Sequence, residues 1–217
     1  MEARTHRLVV PKTARYVTSG PIEGDLEEVW FLCHGYSQLA AHFLGLARAL
    51  EHPKRLLVAP EALSRFYLED HRAIGGSWMT REDREHEIED YVRYFDLLHE
   101  QVFTLADRAR VRVIVMGFSQ GAATAARWAT RGRMRPDRLI LWGAALPPEL
   151  DDESALAALA SVRLTLVSGS RDALFPEGTR DEQRDRLRHH KIPFSELEFN
   201  GGHRLDDDTL RRLARES

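Results

Sequence analysis

Hydrophobic positions along the chain fall into two alternating kinds of segment. EVWFLCH from Glu28, RLLVAP from Arg55, VRVIVMG from Val111, RLILWGAAL from Arg138 and VRLTLVSGS from Val162 are short, nearly continuous apolar runs. Their length and saturation predict strands buried on both faces. FSELEFN from Phe194 is read as a further strand. Between them lie segments of helical spacing. QLAAHFLGLARAL from Gln38 is one, ending before Pro53. Ile88, Tyr91, Phe95, Leu98, Val102 and Leu105 recur at three- and four-residue steps, predicting one long amphipathic helix from Arg81 to Asp107. Helices are also expected after Ser119, near Ser154–Ala160, from Pro176 to His190 and at the C-terminal end. THRLVV and ARYVTSG, separated by Pro11 and Lys12, predict an N-terminal hairpin. The stretch from Glu61 to Thr80 has no clean period, contains Gly75 and Gly76, and is expected to be a long surface loop.

Strands alternating with helices imply right-handed βαβ crossovers, hence a mostly parallel central sheet with helices on both faces. The hairpin would supply an antiparallel edge. No repeat, linker or low-complexity tract interrupts residues 1–217, so a single α/β domain is expected. Charge changes the picture only by exclusion. With 31 basic and 34 acidic residues spread evenly, and a net charge of −3, a nucleic-acid partner has no electrostatic support. Cys33 is the only cysteine, so no intrachain disulfide can form. The first residues lack the apolar core of a signal peptide, and no stretch approaches a membrane span of roughly 18 apolar residues. A cytoplasmic location is the expectation.

Candidate chemistry centres on Gly117-Phe118-Ser119-Gln120-Gly121, a G-x-S-x-G pattern set between a predicted strand and a predicted helix. In such an elbow a strained turn exposes the serine, and the flanking glycines permit close backbone approach. A serine nucleophile needs a base, and the base needs an orienting acid. His203, after FNGG at a strand end, is the candidate base; His189 and His190 sit at the end of a charged helix. Asp172, just past RLTLVSGS, is the candidate acid. Asp151, Asp152 and Asp206 to Asp208 lie beside helix starts, and Asp137 precedes its strand. The backbone N–H groups of Gln120 and of Tyr36, after the FLCHG strand end, are the candidate oxyanion donors. His34 is expected to orient that loop. Plainer uses remain open at this stage: an N-capping serine, a turn aspartate, a capping or surface histidine. Trp78, Phe66, Phe175 and Leu146, with Tyr67 and Leu205, are candidate substrate-lining residues or core packing. GGHRLDDD lacks the second histidine or paired-ligand spacing of a metal site.

HGY after a strand, GFSQGA, WGAALP, GSRDALFP and GGH, in that order and covering nearly the whole chain, resemble the phospholipase/carboxylesterase family of α/β-hydrolases. The resemblance implies an α/β-hydrolase fold without a large lid domain, no cofactor, and hydrolysis of small-molecule carboxylic or thio esters. It supports Ser119, Asp172 and His203 as a catalytic triad, with main-chain donors from Tyr36 and Gln120. Two departures stand out. Ala122 replaces a frequent second glycine, and the segment GGSWMTREDREHEIEDYVRYF differs from the thioesterase-type pattern. A serine carboxylesterase acting on short- to medium-chain esters is therefore expected. Thioesterase or lysophospholipase activity, and a catalytically silent binding module, are the alternatives. A monomer and a homodimer are both open.

Overall fold

The computed structural model describes residues 3–22, 25–104 and 108–216. Its strands are β1 (Tyr16–Ser19), β2 (Glu28–Cys33), β3 (Arg55–Pro60), β4 (Ser64–Tyr67), β5 (Ile74–Ser77), β6 (Arg112–Phe118), β7 (Arg138–Trp142), β8 (Arg163–Gly169) and β9 (Phe194–Phe199). The helices are α1 (Ala40–Leu46), α2 (Arg84–Val102), α3 (Gln120–Arg131), α4 (Glu153–Ser161), α5 (Glu177–His189) and α6 (Asp207–Arg215). Seven strands form one sheet in the order β1-β3-β2-β6-β7-β8-β9. Only β1 runs antiparallel; every other pairing in that sheet is parallel.

The saturated apolar runs follow from burial on both sheet faces. Along β2, Val29, Phe31 and Cys33 enter one core cluster, whereas Trp30 and Leu32 enter the other. The first cluster is closed by α2, α3, α4 and α5, through Ile88, Tyr91, Phe95, Trp128, Leu159 and Leu187 among others. The second is closed by α1 and α6, through Phe43, Leu44, Leu210 and Leu213. Helix α3 reaches the sheet closely because Ala122, Ala125 and Ala126 are small and fully buried. The edge of Phe31 packs on Trp128 with ring centroids 5.1 Å apart. Because β2 and β6 to β9 are mutually parallel neighbours, their C-terminal ends share one edge of the sheet, where ligands bind in open α/β folds.

Four expectations need correction. Among the described residues no N-terminal hairpin forms: β1 pairs with β3, Tyr16 opposite Pro60, while Leu8, Val9 and Val10 stay exposed. The antiparallel edge is real, but a long-range partner supplies it. The Glu61–Thr80 segment is not simply a loop. It carries the antiparallel β4–β5 hairpin, and Ser37 N–H donates to Gly76 O at 2.9 Å, docking β5 on the loop after β2. The long helix begins at Arg84 and ends at Val102, shorter than predicted; Leu105 and Asp107 lie outside the described residues. Similarly, β7 stops at Trp142, because Gly143 adopts φ +68°.

Candidate active site

Ser119 stands between the end of β6 and the first residue of α3, at φ 54° and ψ −122°. This is a costly conformation for a residue with a side chain, of the kind that persists only where the surroundings impose it. The surroundings do so from both sides. Ser119 N–H donates to Trp142 O at 2.8 Å, and Ser119 O accepts from Ala122 N–H at 2.9 Å. A methyl group on Gly117 would lie 2.1 Å from Gly121 O, and one on Gly121 would lie 2.1 Å from Cys33 O. Both glycines are thus dictated by contact with backbone. The Ser119 side chain does not cap α3, so its hydroxyl is not spent on the helix.

The candidate acid and base come from the loops after β8 and β9, along the same edge. Asp172 follows β8, and its side chain is almost wholly buried. Its Oδ1 accepts from Leu174 N–H at 2.9 Å and Phe175 N–H at 3.1 Å. Its Oδ2 lies 2.7 Å from His203 Nδ1. His203 follows β9, and the two loops are laced together by Ser170 N–H to Phe199 O and Arg171 N–H to Gly201 O. Trp142 Nε1 donates to Arg204 O at 3.0 Å, pinning the histidine loop to β7. The His203 ring packs 4.8 Å from the ring of Phe118, the residue before Ser119. Gly143, whose amide follows the carbonyl that holds Ser119, has φ +68° and lies close against the pair. A methyl there would sit 3.1 Å from His203 Cε1 and 3.4 Å from Asp172 Oδ2. His203 Nε2 is buried and has no hydrogen-bond partner. With Nδ1 facing a carboxylate, the proton belongs on Nδ1, which leaves Nε2 a buried, unspent acceptor beside the serine turn.

The loop after β2 is rigidly held. Gly35 N–H donates to Gln38 Oε1 at 2.8 Å, Gln38 N–H to Gly35 O, and Ser37 N–H to Gly76 O. Among the described residues, these bonds leave the intervening Tyr36 N–H uncommitted. Gln120 N–H is one of the unpaired donors of the α3 N-terminus. His34 orients the loop: its Nδ1–H donates to Gly35 O at 2.8 Å, and its Nε2 accepts from Ala62 N–H at 3.1 Å. Burial lowers its pKa, consistent with the neutral ring these two bonds require.

The apolar candidates are dispersed. Phe66 is half-buried on β4 and stacks on Tyr36 at 5.2 Å; the Tyr36 and Tyr67 side chains are exposed. Trp78 and Leu146 belong to the first core cluster and Leu205 packs against the second, while Phe175 is buried beside Asp172. The remaining acids and histidines have structural partners. Asp152 caps α4, Asp206 caps α6, Asp137 holds Val113 N–H, and His189 and His190 pack on each other. Three contributors carry little sequence signal. Gln38 is detectable only as a polar residue three positions past the Gly35 turn. Gly143 lies inside WGAALP. The Gln120 side chain is bonded to residues more than 40 positions away.

No curated protein matches the sequence. The solved structure of a Zea mays acyl-protein thioesterase 2 is similar in fold, with a TM-score of 0.70 at 18% identity, over 94% of this chain and 97% of that one. A phospholipase/carboxylesterase from Dyadobacter fermentans gives 0.66 at 17% identity, over 94% and 95% of the two chains. A Bacillus cereus carboxylesterase gives 0.68 at 16%, over 94% and 92%. The architecture is therefore that of an α/β-hydrolase. Residues 24–191 match the family model Hydrolase_4, described as "Serine aminopeptidase, S33". The chain belongs to this family of serine hydrolases.

Proposed function

We propose that the protein is a serine carboxylesterase that hydrolyses short- to medium-chain esters through an acyl-enzyme on Ser119. The Asp172–His203 pair carries this reading: a 2.7 Å bond that leaves Nε2 as a buried, unspent acceptor. In the reaction, Ser119 Oγ attacks the ester carbonyl carbon while its proton passes to His203 Nε2. The carbonyl electrons move to oxygen, which accepts hydrogen bonds from Tyr36 N–H and Gln120 N–H. Asp172 keeps the imidazole in its Nδ1–H form and stabilises the imidazolium. The C–O bond then breaks, Nε2–H protonates the departing alkoxide, and the alcohol leaves. Water attacks the acyl-enzyme with His203 again as base, releasing the acid and restoring Ser119. Phe66, stacked on Tyr36 of the oxyanion loop, is the proposed acyl contact, whereas Trp78, Leu146 and Phe175 are buried in the surrounding packing.

Thioesters would form the same acyl-enzyme, and one protein of similar fold is named an acyl-protein thioesterase. The experiment is hydrolysis of p-nitrophenyl acetate and butyrate by the wild type and by Ser119→Ala, with circular dichroism to show that both are folded. Loss of turnover in the folded variant is expected; retention of most activity sinks the assignment. An acyl-chain series peaking at long chains would contradict the chain-length part. Faster turnover of amino-acid p-nitroanilides than of esters would move the assignment from esterase to aminopeptidase.

A further inference from the structure

The two main-chain donors assigned above sit on different elements. Tyr36 is in the loop between β2 and α1; Gln120 is the first residue of α3. An oxyanion site is effective only when its donors are fixed roughly 2.7–3.1 Å from the point where charge develops. One residue joins the two elements. The indole Nε1–H of Trp78 donates to His34 O at 2.8 Å, two residues before Tyr36, and its ring packs 4.6 Å from the His34 imidazole. The backbone N–H of the same tryptophan donates to Gln120 Oε1 at 3.1 Å. Gln120 Nε2 then donates to Ser77 Oγ at 3.1 Å and to Met79 O at 2.9 Å. Both Nε2 hydrogens and one Oε1 lone pair are thus committed to residues 77–79. Trp78 is only 2% exposed and lies edge-on to Tyr91 and Phe95 of α2, so the bridge is anchored in the core.

We propose that the Trp78–Gln120 bridge sets the separation of the two oxyanion donors, making both side chains positioning residues for the reaction, a role that rests on the serine-esterase reading above. The bridge holds the serine turn against the Tyr36 loop through hydrogen bonds at both ends. Without it, each N–H remains, but the two no longer converge on one oxygen. A shift of about 1 Å in such groups is enough to cost on the order of a hundredfold in rate.

The test uses Gln120→Met, which keeps the main-chain N–H and side-chain length but removes all three bonds, and Trp78→Phe, which keeps a ring but lacks the indole donor. The readouts are kcat and KM for p-nitrophenyl butyrate, and Ki for a trifluoromethyl ketone, whose serine adduct places a negative oxygen between the donors. In Gln120→Met, kcat is expected to fall about 10- to 100-fold with KM within about threefold, and Ki to rise in step. The double variant should cost little more than the worse single one, because both break the same bridge. A purely structural role would lower the melting temperature while leaving kcat and Ki intact well below it; that result overturns the proposal. Should Trp78→Phe not fold, Ser77→Ala replaces it as the second variant. Retained turnover in Ser119→Ala would remove the reaction assignment and the bridge with it. Loss in Ser119→Ala, with wild-type kcat and Ki in Gln120→Met, would remove the bridge alone.

Discussion

Asp172 Oδ2 stands 2.7 Å from His203 Nδ1, and the other oxygen of the same carboxylate is held by two backbone N–H groups. The acid is thus fixed in rotation, and the histidine tautomer follows from it. In Asp172→Asn, Oδ1 can still accept from Leu174 and Phe175, which turns the amide NH2 toward His203. Nδ1 must then become the acceptor, and Nε2 carries the proton where a base is needed. Expect kcat to fall about 10³- to 10⁴-fold with the fold retained. Steady-state kinetics beside a thermal melt would check this; an active Asp172→Asn would contradict the base assignment.

Gly121→Ala should damage folding rather than chemistry alone. Its methyl would sit 2.1 Å from Cys33 O and 2.5 Å from His34 O, both backbone atoms of β2 and the adjoining loop. Neither can move without disturbing the sheet, so a loss of about 3 kcal/mol or more is expected from urea denaturation. A change below about 1 kcal/mol would show that the elbow is looser than described.

At the far edge of the sheet, stability and activity should separate. Glu28 is buried and accepts from Arg55 Nε at 2.6 Å, Trp30 Nε1 at 2.9 Å and Arg112 Nη2 at 2.6 Å. Arg55 is equally buried and also donates to Leu50 O and Ala214 O. Glu28→Ala strands the Arg55 guanidinium, and breaking such a pair costs about 3–5 kcal/mol. Because Glu28 begins β2 while the proposed site lies past the strand ends, kcat per folded molecule should stay within about twofold. Chemical denaturation and titration of folded active sites would separate the two effects.

Acid should destabilise the fold through two histidines held neutral by burial. Burial lowers the pKa of His34 and His99 below the ordinary 6.5, with the Arg108 charge a further cause at His99. The unfolded chain therefore binds protons that the folded chain refuses, and stability falls as pH drops from about 6.5 toward the folded values. At His34 the reason is visible: a proton on Nε2 would face the Ala62 N–H it now accepts. Melting curves from pH 8 to pH 5 should show this decline, shallower in His34→Gln. A flat profile in the wild type would contradict the neutral, buried assignment.

How much was legible in the sequence depended on the range of the interaction. The saturated runs of β2, β3, β6, β7 and β8 are readable because both faces are buried, and the serine turn is readable because its constraints are local. Asp172 stands out as a candidate because it follows the saturated run of β8, and His203 because it follows the glycine pair after β9. The β4–β5 hairpin leaves no local pattern because its glycines answer to Ser37 in another loop: a methyl on Gly75 would meet Ser37 O at 2.7 Å. THRLVV is the opposite case: an apolar run without a partner in register is not a strand. The Trp78–Gln120 bond spans 42 residues and follows no period. It is a product of tertiary packing alone.

The most direct measurement is rapid quenching of the wild-type enzyme during turnover of p-nitrophenyl butyrate, followed by peptide mass mapping. The account predicts one butyryl group on the peptide bearing Ser119, absent from Ser119→Ala. Turnover with no acyl adduct, or an adduct on another residue while Ser119→Ala stays active, would contradict it.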